Sequence, residues 1–305
     1  MTEPVVVERL TVIGLGLIGG SLARAARTTG AVGRVTGFDV DARQREDAMA
    51  LGVVDEVADS AERSVAGADM VVLAVPVLET SPALESMRAH LPPHCIITDV
   101  GSTKLSVIRS VTEVFGETPD RFVPAHPVAG TERAGVAASA ASLFRGRCVV
   151  ITPHAGMSAD AAGRVRRLWE AVGAHVETMD PGRHDAIFAA TSHLPHVLAY
   201  TLVDMLARME GNDELMHYAS SGFRDSTRIA ASSPKMWHDI VRANRSALVP
   251  LMDHYLDAFR RLRDAIAADD SIRVLDVFTN ARNARERFDA EDGSAHPSGR
   301  SPVLR

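Results

Sequence analysis

The chain has 305 residues, 46% hydrophobic and 24% charged, which is the composition of a globular protein with one large domain or two ordinary ones. Its net charge of −6 argues against nucleic acid as a main partner, because phosphate binding needs concentrated Lys and Arg. No apolar run reaches the ~20 residues of a membrane span, and the amino terminus lacks the features of a signal peptide. Cys95 and Cys148 have no metal or redox spacing, so we expect a cytoplasmic protein.

The first half of the chain alternates short strands with helices. The predicted strands are rich in Val and Ile and are bounded by Gly, Pro or Asp: Arg9–Ile13, Arg34–Phe38, Met70–Val75, Cys95–Asp99, Arg121–Pro124 and Cys148–Thr152. An Ala-rich helix, Leu17–Thr28, follows the first of them, and a helix near Ser158–Val172 and a strand near His175–Met179 are expected to close the domain. This alternation predicts a parallel sheet covered on both faces.

After about Asp180 the pattern becomes helical. The predicted helices are Asp185–Met209, Lys235–Asn244, Ala247–Ala268 and Ser271–Ala290. Pro195 lies inside the first and should kink or interrupt it, because it removes a backbone hydrogen bond. The remaining residues, rich in Gly, Ser and Pro, are predicted to be disordered. The sequence therefore predicts an α/β domain over residues 1–180, an all-α domain over 181–290 and a tail over 291–305.

A glycine pattern follows the first predicted strand and opens the first predicted helix. The residues Gly14-Leu15-Gly16-Leu17-Ile18-Gly19 have the G-x-G-x-x-G spacing in the strand–turn–helix context of a dinucleotide-binding loop. The first glycine permits a tight turn, the second lets the backbone approach a pyrophosphate, and the third lets helix and strand pack closely. The helix amino terminus then offers free N–H groups to the phosphates. We therefore predict a Rossmann-type domain, with a tight turn that binds no ligand as the alternative.

Asp39 indicates which dinucleotide this domain binds. It ends the second predicted strand, twenty residues after Gly19, where an acidic side chain accepts hydrogen bonds from the ribose hydroxyls of NAD. A 2′-phosphate there would meet like charge, so the sequence favours NAD over NADP, although the nearby Arg43 keeps NADP open. Val75 and Pro76, at the end of the next strand, are expected to pass near the cofactor.

His126 is the candidate catalytic base. It follows a short predicted strand and precedes Pro127, so we expect it on a rigid loop at the edge of the sheet where ligands bind. Oxidation of an alcohol requires loss of the hydroxyl proton as hydride leaves carbon, and a neutral histidine suits that task near neutral pH.

Five segments together resemble the prephenate/arogenate dehydrogenase family of tyrosine biosynthesis. They occur in the family's order: Gly14–Ser21 (GLGLIGGS), Asp99–Lys104 (DVGSTK), His126–Glu132 (HPVAGTE), Ser192–His196 (SHLPH) and Gly222–Arg228 (GFRDSTR). The resemblance covers about residues 8–290, and HPVAGTE with SHLPH is far more specific than the glycine loop. It implies NAD-dependent oxidative decarboxylation of prephenate to 4-hydroxyphenylpyruvate, with arogenate or dual cyclohexadienyl specificity as the alternative.

The resemblance also implies roles for individual residues. His126 matches the catalytic histidine that hydrogen-bonds the ring hydroxyl and acts as base. Ser102 matches a serine that orients this histidine or the same hydroxyl beside the cofactor. Arg228 matches the arginine that binds a substrate carboxylate, which a guanidinium can do bidentately. The other implied substrate-site residues are Thr131, Glu132, His193, His196 and Asp225, of which Asp225 is the expected partner of Arg228. No metal is expected.

Several alternatives stay open at this point. Ser102 could cap the following helix, and His193 could be structural. An aminodeoxyprephenate dehydrogenase has the same frame, whereas a β-hydroxyacid dehydrogenase or imine reductase would use a lysine of the helical domain, for which Lys235 is the candidate. A non-catalytic NAD-binding sensor would need the glycine loop but not His126, Ser102 and Arg228 together. His196 favours prephenate as the substrate, because a residue that is not acidic gives the ammonium group of arogenate no carboxylate partner.

The helical half is short for an independent core. Its long helices have apolar faces that need a partner surface, and the family resemblance implies a homodimer made through these helices.

Overall fold

A six-stranded parallel sheet forms the centre of the computed structural model, which describes residues 5–295. Its strands are β1 (Val7–Ile13), β2 (Val32–Phe38), β3 (Glu56–Val57), β4 (Met70–Leu73), β5 (Ile96–Asp99) and β6 (Phe122–Val123). They lie in the order β3-β2-β1-β4-β5-β6, so the order reverses between β1 and β4. This reversal opens a crevice at the carboxyl ends of the strands, where open α/β sheets bind ligands. The predicted parallel sheet is confirmed, although the sequence pattern did not indicate its two-residue strand β3. The predicted strands Cys148–Thr152 and His175–Met179 form but do not join this sheet; they belong to a second one.

Helices cover both faces of this sheet. They are α1 (Leu17–Thr29), α2 (Ala42–Ala50), α3 (Ala61–Ser64), α4 (Thr80–Met87), α5 (Lys104–Phe115) and α6 (Ala159–Ala171). Alternate residues of β4 enter two separate apolar cores, since side chains of a strand point to opposite faces. Val72 packs in the core of α1 and α6, and Val71 packs in the core of α4 and α5.

A second, three-stranded sheet carries His126. Its strands are β7 (Ala125–Pro127), β8 (Cys148–Ile151) and β9 (His175–Thr178), with β7 antiparallel to β8 and β8 parallel to β9. The expectation that His126 lies on a loop is therefore wrong, because it pairs with Val150 inside β7. Its partner strand β8 is more than twenty residues away in sequence, so no local sequence pattern indicates the pairing.

Seven α-helices follow β9 in the described residues. They are α7 (Pro181–Phe188), α8 (Leu194–Ala207), α9 (Asn212–His217), α10 (Ser221–Thr227), α11 (Pro234–Ala243), α12 (Arg245–Ala267) and α13 (Ser271–Ala295). The interruption predicted at Pro195 is a π-helical turn, Ala189–His193, directly before α8. Helix α13 continues five residues into the predicted tail, and residues 296–305 of that tail lie outside the described residues.

The chain divides into two compact units between Leu248 and Val249. Helices α7 to α11 therefore belong to the same unit as the sheets, although the helical pattern begins near residue 180. The helical run Pro181–Ala207 also has the length and apolar composition of a possible membrane span, contrary to the expectation that no apolar run is long enough. His184 and Asp185 in this run are buried and hydrogen-bonded to groups of β7 and α5, so this part of the run packs against protein.

The glycines of the first loop differ in the room around them. Gly14 has a φ of +96°, and a Cβ at Gly19 would collide with the Gly14 carbonyl oxygen, whereas a Cβ at Gly16 would meet nothing within 4 Å. We predict that Gly19→Ala lowers the free energy of unfolding by about 1–3 kcal/mol, because rigid backbone must move. Gly16→Ala should change it by less than about 1 kcal/mol. Urea denaturation measures both, and equal losses would contradict the packing described.

Candidate active site

The turn between β1 and α1 lies at the crevice of the sheet. The Gly14 N–H donates to the Phe38 carbonyl at 2.8 Å, and Gly16 is the N-cap residue of α1. Leu15 is buried, while Leu17 and Ile18 are half-buried at the start of α1. Because the space at the Gly16 Cβ position is open and the helix amino terminus offers N–H groups, the turn fits the pyrophosphate of a dinucleotide.

Asp39 lies beside this turn, as the sequence predicts. Its carboxylate accepts the Leu15 N–H at 2.8 Å and the Asp41 N–H at 2.9 Å, which fixes it at the end of β2. Arg43, which left NADP as an alternative cofactor in the sequence prediction, is exposed on α2. The guanidinium of Arg45 donates to the Asp39 carbonyl and lies 5.8 Å from the centre of the Phe38 ring.

The chain after β4 closes the other side of the crevice. The main chain of Ala74 and Val75 lies against Gly14, with Val75 half-buried and Pro76 exposed. The structure therefore brings the predicted cofactor residues of both strand ends together.

A buried ion pair connects β5, α5 and β7. Asp99 ends β5, and its carboxylate accepts the Gly101 N–H at 2.8 Å, the Ala125 N–H at 3.1 Å and the Lys104 ammonium. Lys104 is completely buried and also donates to the Ala125 carbonyl at 2.6 Å. Burial lowers the pKa of Lys104, and Asp99 opposes that shift. The pair therefore holds the backbone next to His126 from both sides.

His126 is buried and belongs to a chain of polar contacts that sequence reasoning missed. Its Nδ1 lies 2.9 Å from Nε2 of His184, and Nδ1 of His184 lies 2.9 Å from Oδ1 of Asp185. Burial holds the pKa of His126 well below its ordinary value, and the charges of His184, Lys104 and His193 lower it further. His126 is therefore a neutral imidazole at pH 7, the form a general base requires.

Ser102 does not orient His126 in this structure. No hydrogen bond joins the two side chains within residues 5–295, and the neighbour of His126 is His184. Ser102 is half-buried and does not cap α5 either, because the N-cap residue is Thr103. A contact of Ser102 with the substrate hydroxyl or the cofactor stays a prediction.

The SHLPH segment places its two histidines differently. His193 is buried, and its Nδ1 lies 3.1 Å from the Asn244 side-chain nitrogen, which also donates to the Asp185 carbonyl. Burial lowers the pKa of His193 to about 4. His196 is half-buried, its Nδ1 donates to the Ser192 carbonyl at 2.8 Å, and its ring stacks on Trp237 with 3.5 Å between ring centres.

Arg228 forms its ion pair with Glu132, in the loop after β7. The expected partner, Asp225, is exposed on α10, so that assignment is wrong. Asp225 precedes Arg228 by about one turn, whereas the Arg228 side chain extends to the HPVAGTE segment. Thr131, next to Glu132, is exposed, and its hydroxyl accepts the Arg133 N–H at 3.2 Å. The pair thus brings the predicted carboxylate receptor to the segment that follows His126.

The sequence contained two indications of the polar residues around His126 that were not predicted as part of the site. Asp99 and Lys104 stand in the DVGSTK segment, and His184-Asp185 is an adjacent polar pair at the start of a long apolar helical run. Such a pair is buried only when it is hydrogen-bonded.

The only two lysines of the chain provide a matched test of the buried ion pair. Lys104→Met leaves the buried Asp99 carboxylate without its partner, which should lower the free energy of unfolding by about 3–5 kcal/mol. Lys235 is exposed and pairs with Glu79 and Asp239 at 3.3–3.4 Å, so Lys235→Met should have little effect. Urea denaturation of both variants checks this, and equal losses would contradict the assigned role of the Asp99–Lys104 pair.

Comparisons with known proteins agree with this arrangement. A family model described as "Prephenate dehydrogenase, nucleotide-binding domain" matches residues 22–178, and one described as "Prephenate dehydrogenase, dimerization domain" matches residues 180–280. The chain is 38% identical to a cyclohexadienyl dehydrogenase of Zymomonas mobilis over 92% of this chain and 96% of that protein. It is 34% identical to a prephenate dehydrogenase of Bacillus subtilis over 95% of this chain and 79% of that protein.

A solved structure has the same fold. The prephenate dehydrogenase of Aquifex aeolicus, solved in complex with hydroxyphenyl propionate and NAD+, is similar with a TM-score of 0.85 and 32% identity, over 92% of this chain and 98% of that one. Both family models and these relatives confirm the resemblance seen in the motifs. The chain belongs to the prephenate dehydrogenase family.

Proposed function

We propose that the chain is an NAD-dependent dehydrogenase that converts prephenate to 4-hydroxyphenylpyruvate in tyrosine biosynthesis. The observation that carries the proposal is the buried, neutral His126, held by polar contacts beside the crevice of a dinucleotide-binding sheet. A non-catalytic sensor needs no such base. The β-hydroxyacid alternative needs a lysine in the helical part, and Lys235 is exposed and paired with Glu79 and Asp239.

His126 moves the proton in this reaction. NAD, when bound, accepts hydride from the carbinol carbon. The imidazole of His126 takes the hydroxyl proton as the hydride leaves, which gives a ring ketone. The ring carboxylate then departs as carbon dioxide, its electron pair completes the aromatic ring, and His126 can return the proton to the phenol oxygen. The protein has to supply the base and hold the substrate in place.

Arg228 is the proposed receptor for a substrate carboxylate. Its guanidinium is more than half exposed and pairs with the partly exposed Glu132. A pair this accessible to solvent is weak, so a substrate carboxylate can replace Glu132 or share the guanidinium with it. Thr131, His196 and Ser102 are the further proposed contacts, whereas the bonds of His193 to Asn244 support a structural role.

Asp39 supports NAD rather than NADP. Two backbone N–H groups hold its carboxylate at the end of β2, where it can accept hydrogen bonds from ribose hydroxyls and would repel a 2′-phosphate.

Dual cyclohexadienyl specificity is the second candidate, supported by the name of the Zymomonas mobilis relative. The substrates differ in a keto or an amino group on the side chain. His196 contacts the Trp237 ring and the Ser192 carbonyl, and neither group is an anion that would pair with the ammonium of arogenate. This environment favours prephenate.

We further propose a cytoplasmic homodimer. In α12 and α13, large apolar side chains are 38–77% exposed at helical spacing, which a second copy of the helices would cover. Examples are Tyr255, Phe259, Ile272, Leu275 and Phe278. The two cysteines are free thiols, as a reducing compartment favours.

An assay of purified protein with prephenate or arogenate, each with NAD or NADP, tests the activity. We expect NADH absorbance to rise with prephenate and NAD. His126→Asn should lower kcat by about 100-fold or more, because a positioned base contributes about 10²–10⁴, with NAD affinity nearly unchanged. Absence of turnover with both substrates would overturn the proposed prephenate or arogenate activity, and full activity of His126→Asn would remove this residue from the mechanism.

Arg228→Gln tests the carboxylate receptor. A hydrogen bond to a charged group is worth about 1.5–3 kcal/mol, so the substrate KM should rise about 10–100-fold while kcat changes little. Arg224→Gln, at an exposed arginine of α10 four residues before Arg228, is the matched control. Equal KM values for the two variants would rule out a role for Arg228 in substrate binding.

A further inference from the structure

The two polar neighbours of His126 cannot reach the substrate themselves. His184 is completely buried and Asp185 is 2% exposed. They form a linear series in which His126 Nδ1 contacts His184 Nε2, and His184 Nδ1 contacts Asp185 Oδ1, both at 2.9 Å. Any effect of this series on the reaction must therefore act through the imidazole of His126.

The direction of the hydrogen bonds follows from Asp185. Its carboxylate accepts the backbone N–H of Lys104 at 2.7 Å and of Leu105 at 3.0 Å, in the first turn of α5. Those donors and the positive end of the helix dipole favour the ionised acid. An ionised carboxylate only accepts hydrogen bonds, so Nδ1 of His184 carries the hydrogen. In a neutral imidazole the other nitrogen, Nε2, is then an acceptor.

The hydrogen between the two histidines must therefore be on His126. We propose that His184 and Asp185 are positioning residues that keep the hydrogen of His126 on Nδ1, so that Nε2 is the nitrogen that accepts the substrate proton. This inference rests on the proposed function for its purpose, but the protonation pattern itself can be measured without any substrate.

The series also has a role after the proton has moved. His126 then carries hydrogens on both nitrogens and a positive charge. Its Nδ1 hydrogen stays directed at His184, and the Asp185 carboxylate lies at the far end of the series, where it stabilises that charge. A carboxylate that fixes the tautomer of a catalytic histidine and stabilises its cation is an established arrangement in hydrolases.

Protonation of His184 would reverse the series. Its Nε2 would then donate to His126 Nδ1, and the hydrogen of neutral His126 would move to Nε2, where it blocks the base. The charged or titratable groups that face the two rings are Asp99 of β5, Lys104 of α5, Asp185 of α7 and His193 of the π-helical turn. Burial lowers the pKa of His184, and Asp185 opposes that shift. Because the pKa of His184 lies below its ordinary value, activity should persist through neutral pH and be lost only in the acidic range below that ordinary value.

Two substitutions of His184 distinguish its hydrogen bond to His126 from the space that its ring fills. Glutamine can place its carbonyl oxygen near the former Nε2 and still accept the hydrogen of His126, whereas phenylalanine fills the space but accepts nothing. We expect kcat to fall about 100-fold or more in His184→Phe and only about tenfold in His184→Gln. The substrate KM and the Kd of NAD should stay within about threefold of the unchanged protein. The acidic limb of the kcat profile should shift in His184→Gln, because glutamine does not titrate.

His154→Gln is the matched control. The ring nitrogens of His154 lie against main-chain carbonyl oxygens of Ala155 and Phe122, away from the series, so its kcat should be unchanged. Equal kcat in His184→Phe and His184→Gln, or an unshifted pH profile, would overturn the proposal.

Nitrogen NMR of the ¹⁵N-histidine-labelled protein reports directly which ring nitrogen of His126 carries the hydrogen. The measurement does not depend on turnover, and the main result comes from the unchanged protein. The His126 signals are assigned by their loss in His126→Asn. In the unchanged protein with NAD, we expect Nδ1 of His126 to be protonated and Nε2 to be unprotonated. Asp185→Asn can turn an amide N–H towards His184 and should increase the opposite tautomer. A protonated Nε2 in the unchanged protein would overturn the inference, whereas absence of turnover with the expected Nδ1–H pattern would overturn only the proposed function.

Discussion

A buried carboxylate at the amino terminus of α5 is the interaction on which the active site depends. Asp185 accepts two backbone N–H groups of α5 and the imidazole of His184, and its carbonyl accepts the side chain of Asn244. One residue therefore joins α7 to α5, to the strand of His126 and to the end of α11. Leaving a charge this deeply buried without partners would cost several kcal/mol, so the partners must remain in place whenever the protein is folded.

The buried charges around His126 are arranged to keep it neutral. Asp99 and Lys104 form one pair, and the amino terminus of α5 supports the second carboxylate, Asp185. Lys104 and His184 both oppose a positive charge on His126, and burial adds to their effect. The imidazole is thus available as a base before any ligand binds, while Arg228 and Glu132 stay more exposed, where a substrate can contact them.

The parts that could be predicted from sequence are those with local signals. Five strands of the six-stranded sheet follow from short apolar runs, the turn at Gly14 follows from glycine spacing, and the interruption before Pro195 follows from the missing N–H of proline. Strands β8 and β9 were predictable as apolar runs, but their place in a second sheet was not, because β7 is three residues long and pairs with β8 across a long connection. The partner of Arg228 was wrongly predicted as Asp225 for the same reason, because the actual ion pair between Arg228 and Glu132 joins segments that are distant in sequence. The motifs identified the family, but the His184–Asp185 series needed the fold.

A crystal structure of this chain with NAD and hydroxyphenyl propionate, the ligands named for the Aquifex aeolicus enzyme, would show whether His126 is the base that contacts the ring hydroxyl. We expect the phenolic oxygen to lie about 2.6–3.2 Å from Nε2 of His126, with Nδ1 still against His184. A phenolic oxygen outside hydrogen-bond reach of His126, or an imidazole with Nε2 turned towards His184, would contradict it.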